Sequence, residues 1–178
     1  MQGKGDEMGK ERRIFGGLVI VAAMLLFVGC DQRQESVKGG SAADFAEMMA
    51  QARNGDALSA YNVAVRYLTG DGVACNEREG FEWMSRAAYA GEPNAQFNLG
   101  VMYASGDRVP QSVTNAAKWF LQAAEAGNAR AQYYAGDCCY VGFGVSKDRE
   151  AAISWYRKSA AQGVEEAKGR LKEIGVGT

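Results

Sequence analysis

The chain has 178 residues, 47% hydrophobic and 23% charged, with a formal net charge of −1. This suits one packed globular domain, or two at most, and speaks against a disordered chain or a nucleic-acid binder, which is normally basic. Histidine is absent, which removes Ser-His-Asp and Cys-His catalysis, histidine general bases and histidine metal sites together.

In chain order, the first element is a leader. Met1 to Arg13 is polar and ends in Arg12-Arg13, Ile14 to Val28 runs 15 residues without a charge, and the chain turns polar at Asp31. A basic start, a short apolar run and the small Gly29 before the break describe a secretory signal peptide over residues 1–29. The alternative, an uncleaved anchor, needs about 20 apolar residues. Met8 offers a second start, with a more compact and more basic leader. Leu26-Phe27-Val28-Gly29-Cys30 resembles the lipobox of bacterial lipoproteins, with Phe27 where the family has Leu. The resemblance implies cleavage before Cys30 and acylation of its thiol, by a palmitate-type chain, and of its amine. Several chains give lasting membrane anchorage where one does not. Asp31 resembles the signal that retains enterobacterial lipoproteins in the inner membrane, so the expected location is the periplasm-facing side of the cell envelope. Residues 30–41, with Gly39-Gly40-Ser41, read as a flexible tether reaching at most about 40 Å.

Beyond this, one offset organises the chain. Gly55, Gly91, Gly127 and Gly163 stand 36 residues apart. At the same offset Trp83, Trp119 and Trp155 share a column, and they are all the tryptophan there is. Gly70, Gly106 and Gly142 share another, followed by Val73, Val109 and Val145. Ser59, Ala95, Ala131 and Ala167 align, as do Ala88, Ala124 and Ala160, and Tyr61, Phe97 and Tyr133. A fixed period of this kind marks a repeat architecture.

Each unit reads as two helices. The first spans 57–68 in unit one, where Ala60, Val63, Ala64 and Tyr67 recur at helical spacing. Gly70 follows where a left-handed cap favours a residue without Cβ. The second helix starts after Asn76, Ser112 and Asp148, a column of strong N-cap residues, and Asn76 with Glu79 forms a capping-box-like pair. Pro93 falls in the first turn of its helix, where a missing N–H costs nothing. The repeats are then 55–90, 91–126 and 127–162. Residues 42–54 form an N-terminal capping helix with Glu47 in the tryptophan column, and 163–178 a C-terminal capping helix and tail.

These columns resemble the Sel1-like repeat, a relative of the tetratricopeptide repeats. The shared pattern is Ala-x-x-x-Leu-Gly-x-x-Tyr-x-x-Gly-x-Gly-Val, then Asp-x-x-x-Ala-x-x-Trp-Tyr-x-x-Ala-Ala-x-x-Gly. Unit two carries it as Ala95, Leu99, Gly100, Tyr103, Gly106, Val109, Ala116, Trp119, Ala123, Ala124 and Gly127. Unit three carries Ala131, Gly136, Gly142, Gly144, Val145, Asp148, Ala152, Trp155, Tyr156, Ala160 and Gly163. The resemblance implies an all-α fold, a right-handed α-solenoid of stacked helix-turn-helix repeats whose first helices line a concave face. On that reading Gly70, Gly91, Gly106, Gly127 and Gly142 end helices, and Trp83, Trp119 and Trp155 pack between them.

Function is expected on the concave face. Positions about 3, 7, 10 and 14 after each column glycine form one stripe on the first helix. They are Leu58, Asn62, Val65 and Thr69 in unit one, Asn94, Asn98, Val101 and Ser105 in unit two, and Arg130, Tyr134, Asp137 and Val141 in unit three. Within it Asn62, Val65, Asn98, Val101, Arg130, Tyr134 and Asp137 are the candidate partner contacts, a mixture of amides, small apolar groups and an exposed-type Tyr that suits a protein or peptide. A solvated groove without a ligand, or binding through the convex side or loops, is the alternative.

Cys138 and Cys139 fall on the first helix of unit three, where Cys139 replaces the core Tyr67 and Tyr103. A buried free thiol is the plain expectation; a vicinal pair is not the Cys-x-x-Cys arrangement that tunes thiol chemistry. Cys75, two repeats away, is too distant from them for a disulfide; an intermolecular bridge through Cys75 is the alternative.

The expected function is therefore a non-enzymatic, lipid-anchored protein-interaction module of the bacterial envelope, with no cofactor, metal or nucleic-acid partner. The resemblance extends to immunity proteins that occlude lipase-type toxins in the periplasm, and to envelope assembly or signalling scaffolds. An enzyme acting on peptidoglycan or β-lactams is the competing class, but Ser-x-x-Lys and Lys-Thr-Gly are absent.

Overall fold

The computed structural model of the protein describes residues 42–177. The expected signal peptide, Cys30, Asp31 and the tether to residue 41 lie outside the described residues.

The described residues form helices and no strand: α1 (Ala42–Arg53), α2 (Ala57–Thr69), α3 (Glu77–Tyr89), α4 (Pro93–Ser105), α5 (Val113–Glu125), α6 (Ala129–Val141), α7 (Arg149–Ala161) and α8 (Glu165–Glu173). The pairs α2–α3, α4–α5 and α6–α7 are the three repeats. The architecture is the all-α solenoid of 36-residue helix pairs.

Hydrogen bonds recurring at the repeat period explain why each chain segment turns where it does. The N–H groups of Asn76, Ser112 and Asp148 donate to the carbonyls of Tyr67, Tyr103 and Cys139 at 2.9, 2.9 and 2.8 Å. Their side chains then cap the second helices. Asn76 Oδ1 accepts from the Glu79 N–H at 3.1 Å, Ser112 Oγ from Asn115 at 3.3 Å, and Asp148 Oδ1 from Glu150 and Ala151, each at 3.0 Å. Because the Asn76 N–H is spent on Tyr67, the reciprocal half of a capping box with Glu79 has no donor to satisfy. First helices are capped in the same way by Asp56 and Asn128, whose side chains accept from Ser59 at 2.6 Å and Ala131 at 2.8 Å. In α8 this column holds Val164, which makes no side-chain cap bond.

The first helices end at Gly70, Gly106 and Gly142, all left-handed with φ of 74°, 76° and 77°. There a side chain would be strained. Two places on, Gly72 and Gly144 are left-handed as well, but in the second repeat Arg108 holds that conformation at φ 62°, the one non-glycine to do so among the described residues. Its guanidinium pairs with Asp107.

The described residues divide into two compact units, 42–99 and 100–177. In the first, α1 packs on α2 and α2 on α3. Phe45 meets Tyr67 edge-on with ring centroids 5.4 Å apart, and Gly80 lies so close to Leu68 that a Cβ would fall 2.6 Å from its Cγ. Val63, Ala64, Met84, Ala87 and Ala88 complete the core. In the second, α6 packs on both α5 and α7, and α8 on α7. Gly100 and Gly136 lie under the rings of Phe120 and Tyr156, where a Cβ would come within 2.6 and 2.5 Å of ring carbons. Gln132 Nε2 donates to the Ala124 carbonyl at 3.3 Å, and Gln162 Nε2 to Gln132 Oε1 at 2.8 Å. Trp83 and Trp119 are buried, while Trp155 is half-buried with the Lys158 ammonium 4.3 Å above its ring.

Candidate binding surface

The stripe expected to face a partner behaves differently in each repeat. On α2 it stays accessible: Leu58 is 53% exposed, Thr69 is exposed, and Asn62 and Val65 are half-buried. The four lie at i, i+4, i+7 and i+11, which places them along one side of the helix.

On α4 the stripe closes at its two middle positions, while Asn94 stays exposed and Ser105 half-buried. Asn98 is buried, its amide donates to Met84 Sδ at 3.9 Å, and it is hydrogen-bonded to Tyr61. Burial raises the Tyr61 pKa, an effect the Asn98 bond opposes. Val101 is buried, and Ser105 Oγ donates back to the Val101 carbonyl at 3.0 Å.

On α6 only Arg130 remains exposed. Tyr134, read from the sequence as an exposed-type side chain, is buried. It stacks on Phe120 at 5.2 Å and meets Tyr133 edge-on at 5.3 Å, and burial pushes its pKa up to about 12. Asp137 is 1% exposed: Oδ1 accepts from the Tyr156 hydroxyl at 2.7 Å and pairs with Arg170 Nε at 3.4 Å. Burial raises the carboxyl's pKa, and the Tyr156 bond and the Arg170 charge oppose the rise.

Asn98, Val101, Tyr134 and Asp137 are thus corrected from surface to interior. The physical reason is that α6 is packed by α5 and α7 together. Every residue from Ala131 to Cys139 is buried, so no outward stripe exists on it. The sequence carries a sign of this: Tyr133-Tyr134 and Cys138-Cys139 place apolar pairs on adjacent positions, as a helix buried all round does.

Cys138 and Cys139 are free, buried thiols. Burial pushes both pKa values up, that of Cys138 most, which disfavours the thiolate on which redox chemistry depends. Among the described residues, no group of three or more Cys, Asp or Glu is placed to hold a metal ion. No described helix is long and apolar enough to cross a membrane.

Sequence reasoning missed two surface features. Tyr89, at the end of α3, is 77% exposed and Val113, at the start of α5, is 42% exposed. A cleft of about 270 Å³ in the first unit is lined by Arg53, Asp56, Ala57, Ala60, Trp83 and Arg86 among others, with the Arg86 guanidinium 4.6 Å from the Trp83 ring centre. The tryptophan column was visible in the sequence. That its first member borders a cleft depends on Ala57 and Ala60 being small.

No curated protein matches the chain. Among solved structures, it is similar to a Sel1 repeat protein from Oxalobacter formigenes, 42% identical over 73% of this chain and 98% of that one, with a TM-score of 0.71. It is 28% identical to c5321, a protective antigen of uropathogenic Escherichia coli strains displaying an SLR fold, over 75% of this chain and 37% of the antigen, with a TM-score of 0.54. Helicobacter pylori cysteine rich protein B shares the fold at 22% identity, over 75% of this chain and all of that one, with a TM-score of 0.58. The Sel1 repeat model matches residues 57–92, 93–128 and 129–164, so the three helix pairs built around the column glycines and tryptophans place the chain in the Sel1 repeat family.

Proposed function

We propose that the protein is an exported, lipid-anchored binding module of the bacterial cell envelope whose partner is a protein. Sel1 repeat proteins are protein-interaction modules and generally non-enzymatic scaffolds. The observation that carries the reading here is the face of α2. Leu58, Asn62 and Val65 keep an aliphatic and amide stripe open, while Asn98, Gln132 and Asp137 are tied into the interior. Arg130 adds a solvent-facing cation on α6. The anchor rests on the basic leader, the uncharged run Ile14–Val28 and Cys30 after Gly29, with Asp31 favouring the inner membrane. The similarity to a protective antigen suits an envelope setting.

The test is a pull-down from solubilised envelope with the full chain, beside Leu58→Ala/Asn62→Ala/Val65→Ala. The expected result is a partner held by the native chain and reduced at least tenfold by the variant. A lipase-type enzyme in that position assigns the inhibitor role, and an assembly or signalling protein assigns the scaffold role. Equal capture by both forms removes the α2 site; no captured protein overturns the module reading. The anchor is tested by labelled palmitate, whose incorporation Cys30→Ser should abolish. Unchanged labelling or membrane partition of that variant refutes it.

A further inference from the structure

We propose that α1 and α8 are complementary halves of one repeat and dock between copies, so that the protein self-associates head to tail. α1 lies one period before the second helices α3, α5 and α7, and α8 one period after the first helices α2, α4 and α6. Among the described residues, α1 is a second helix without its first, and α8 a first helix without its second.

Within a repeat, three seats join the two helices. Trp83 shares a cleft with Ala57 and Ala60, Gly80 receives Leu68, and Gly136 receives Tyr156. In α8 the columns of Ala57, Ala60 and Gly136 read Glu165, Lys168 and Lys172. In α1 the columns of Gly80, Trp83 and Tyr156 read Asp44, Glu47 and Met48. Gly169 occupies the aromatic column of Tyr61, Phe97 and Tyr133, and a Cβ there meets nothing within 4 Å. The outcome is an open cleft of about 600 Å³ lined by Glu165, Lys168, Gly169, Lys172 and Val176 among others.

Two replacements on each side have opposite charge, Asp44 and Glu47 against Lys168 and Lys172, while Glu165 is acidic and Met48 uncharged. Asp44 and Glu47 are exposed on α1; Lys172 is exposed on α8, and the Lys168 side chain is 42% exposed beside Glu165. The repeat register sets Glu47 opposite Lys168, as Trp83 lies by Ala60. The wider charge agrees: residues 42–99 carry 8 acidic and 4 basic side chains, and residues 100–177 carry 8 acidic and 10 basic, net −4 and +2. A surface pair such as Lys168–Glu165 contributes little and exchanges readily.

Lys172 replaces the glycine that lets a ring approach, so this joint is looser than an internal helix pair and rests on charge. A single helix pair also falls short of the roughly 1,200 Å² buried by a stable interface. The association is therefore weak and salt-sensitive. Because the two surfaces differ, the contact is heterologous and joins copies head to tail.

The test is sedimentation velocity of the full chain in non-ionic detergent at about 20 and about 500 mM salt. The native chain should sediment faster with rising concentration at low salt and lose at least half of that shift at high salt. Lys168→Glu/Lys172→Glu and Asp44→Lys/Glu47→Lys should each stay monomeric alone, and mixing the two variants should restore the shift. That rescue also shows both variants to be folded. A native chain that stays monomeric at low salt, variants that associate as it does, or a mixture that stays monomeric overturns the proposal.

Discussion

Asp137 shows what a single residue contributes here. It sits in α6 with 1% exposure, shared between the Tyr156 hydroxyl and the Arg170 guanidinium, whose side chain is 25% exposed. Removing the carboxylate leaves the buried Tyr156 hydroxyl without its acceptor, at a cost of about 1–3 kcal/mol, while Arg170 keeps Glu173 at 3.2 Å. Asp137→Ala is therefore expected to lose about that much in urea unfolding. The pH dependence has a definite sign. Burial raises the carboxyl's pKa above its ordinary 3.8, so the stability it contributes is complete below that value and falls as pH rises through the folded pKa. Asp137→Asn lacks this decline. Any advantage of the native protein over it should shrink from pH 4 towards pH 7, and a gap that widens would refute the assignment. None of this was legible in the sequence, where Asp137 reads as a surface acid. Tyr156 and Arg170 lie 19 and 33 positions further on, and only folding brings them to it.

At the scale of the element, each helix is written by its caps and its small residues. Gly136 and Gly169 separate the two roles a helical glycine can have. Alanine is the better helix former by about 1 kcal/mol. At Gly169, where a Cβ meets nothing, Gly169→Ala should show that gain as a higher unfolding midpoint. At Gly136, where it falls 2.5 Å from the Tyr156 ring, overpacking costs about 1–3 kcal/mol and the midpoint should drop. Val164 is the missing cap: the column holds Asp56 and Asn128, which bond their helices, and Val164, which does not. Val164→Asp should add about 0.5–1 kcal/mol, seen as slower amide exchange along α8. Caps were readable from sequence because they are local, a side chain and an N–H two or three residues apart. The burial of α4 and α6 was not, because it is imposed by neighbouring helices.

At the scale of the whole molecule, a helical repeat contacts its neighbours and little else, so damage stays local. Asp137→Ala should speed amide exchange in α6, α7 and α8 while leaving Val63 and Ala64 of α2 unchanged. Acceleration throughout would mean that the chain opens as one body. The sequence by itself determined the repeat, its period, the helix pairs, the caps and the family, because these follow from residue type at fixed spacing. A left-handed turn selects glycine, and an N-cap selects a short polar side chain. Tertiary structure decided which faces are free. The same stripe positions are open at Leu58 and Asn62 on α2, closed at Asn98 and Val101, and absorbed at Tyr134 and Asp137 into packing and an ion pair. Helical spacing places residues on one side of a helix, whereas exposure is set by the helices that pack against that side.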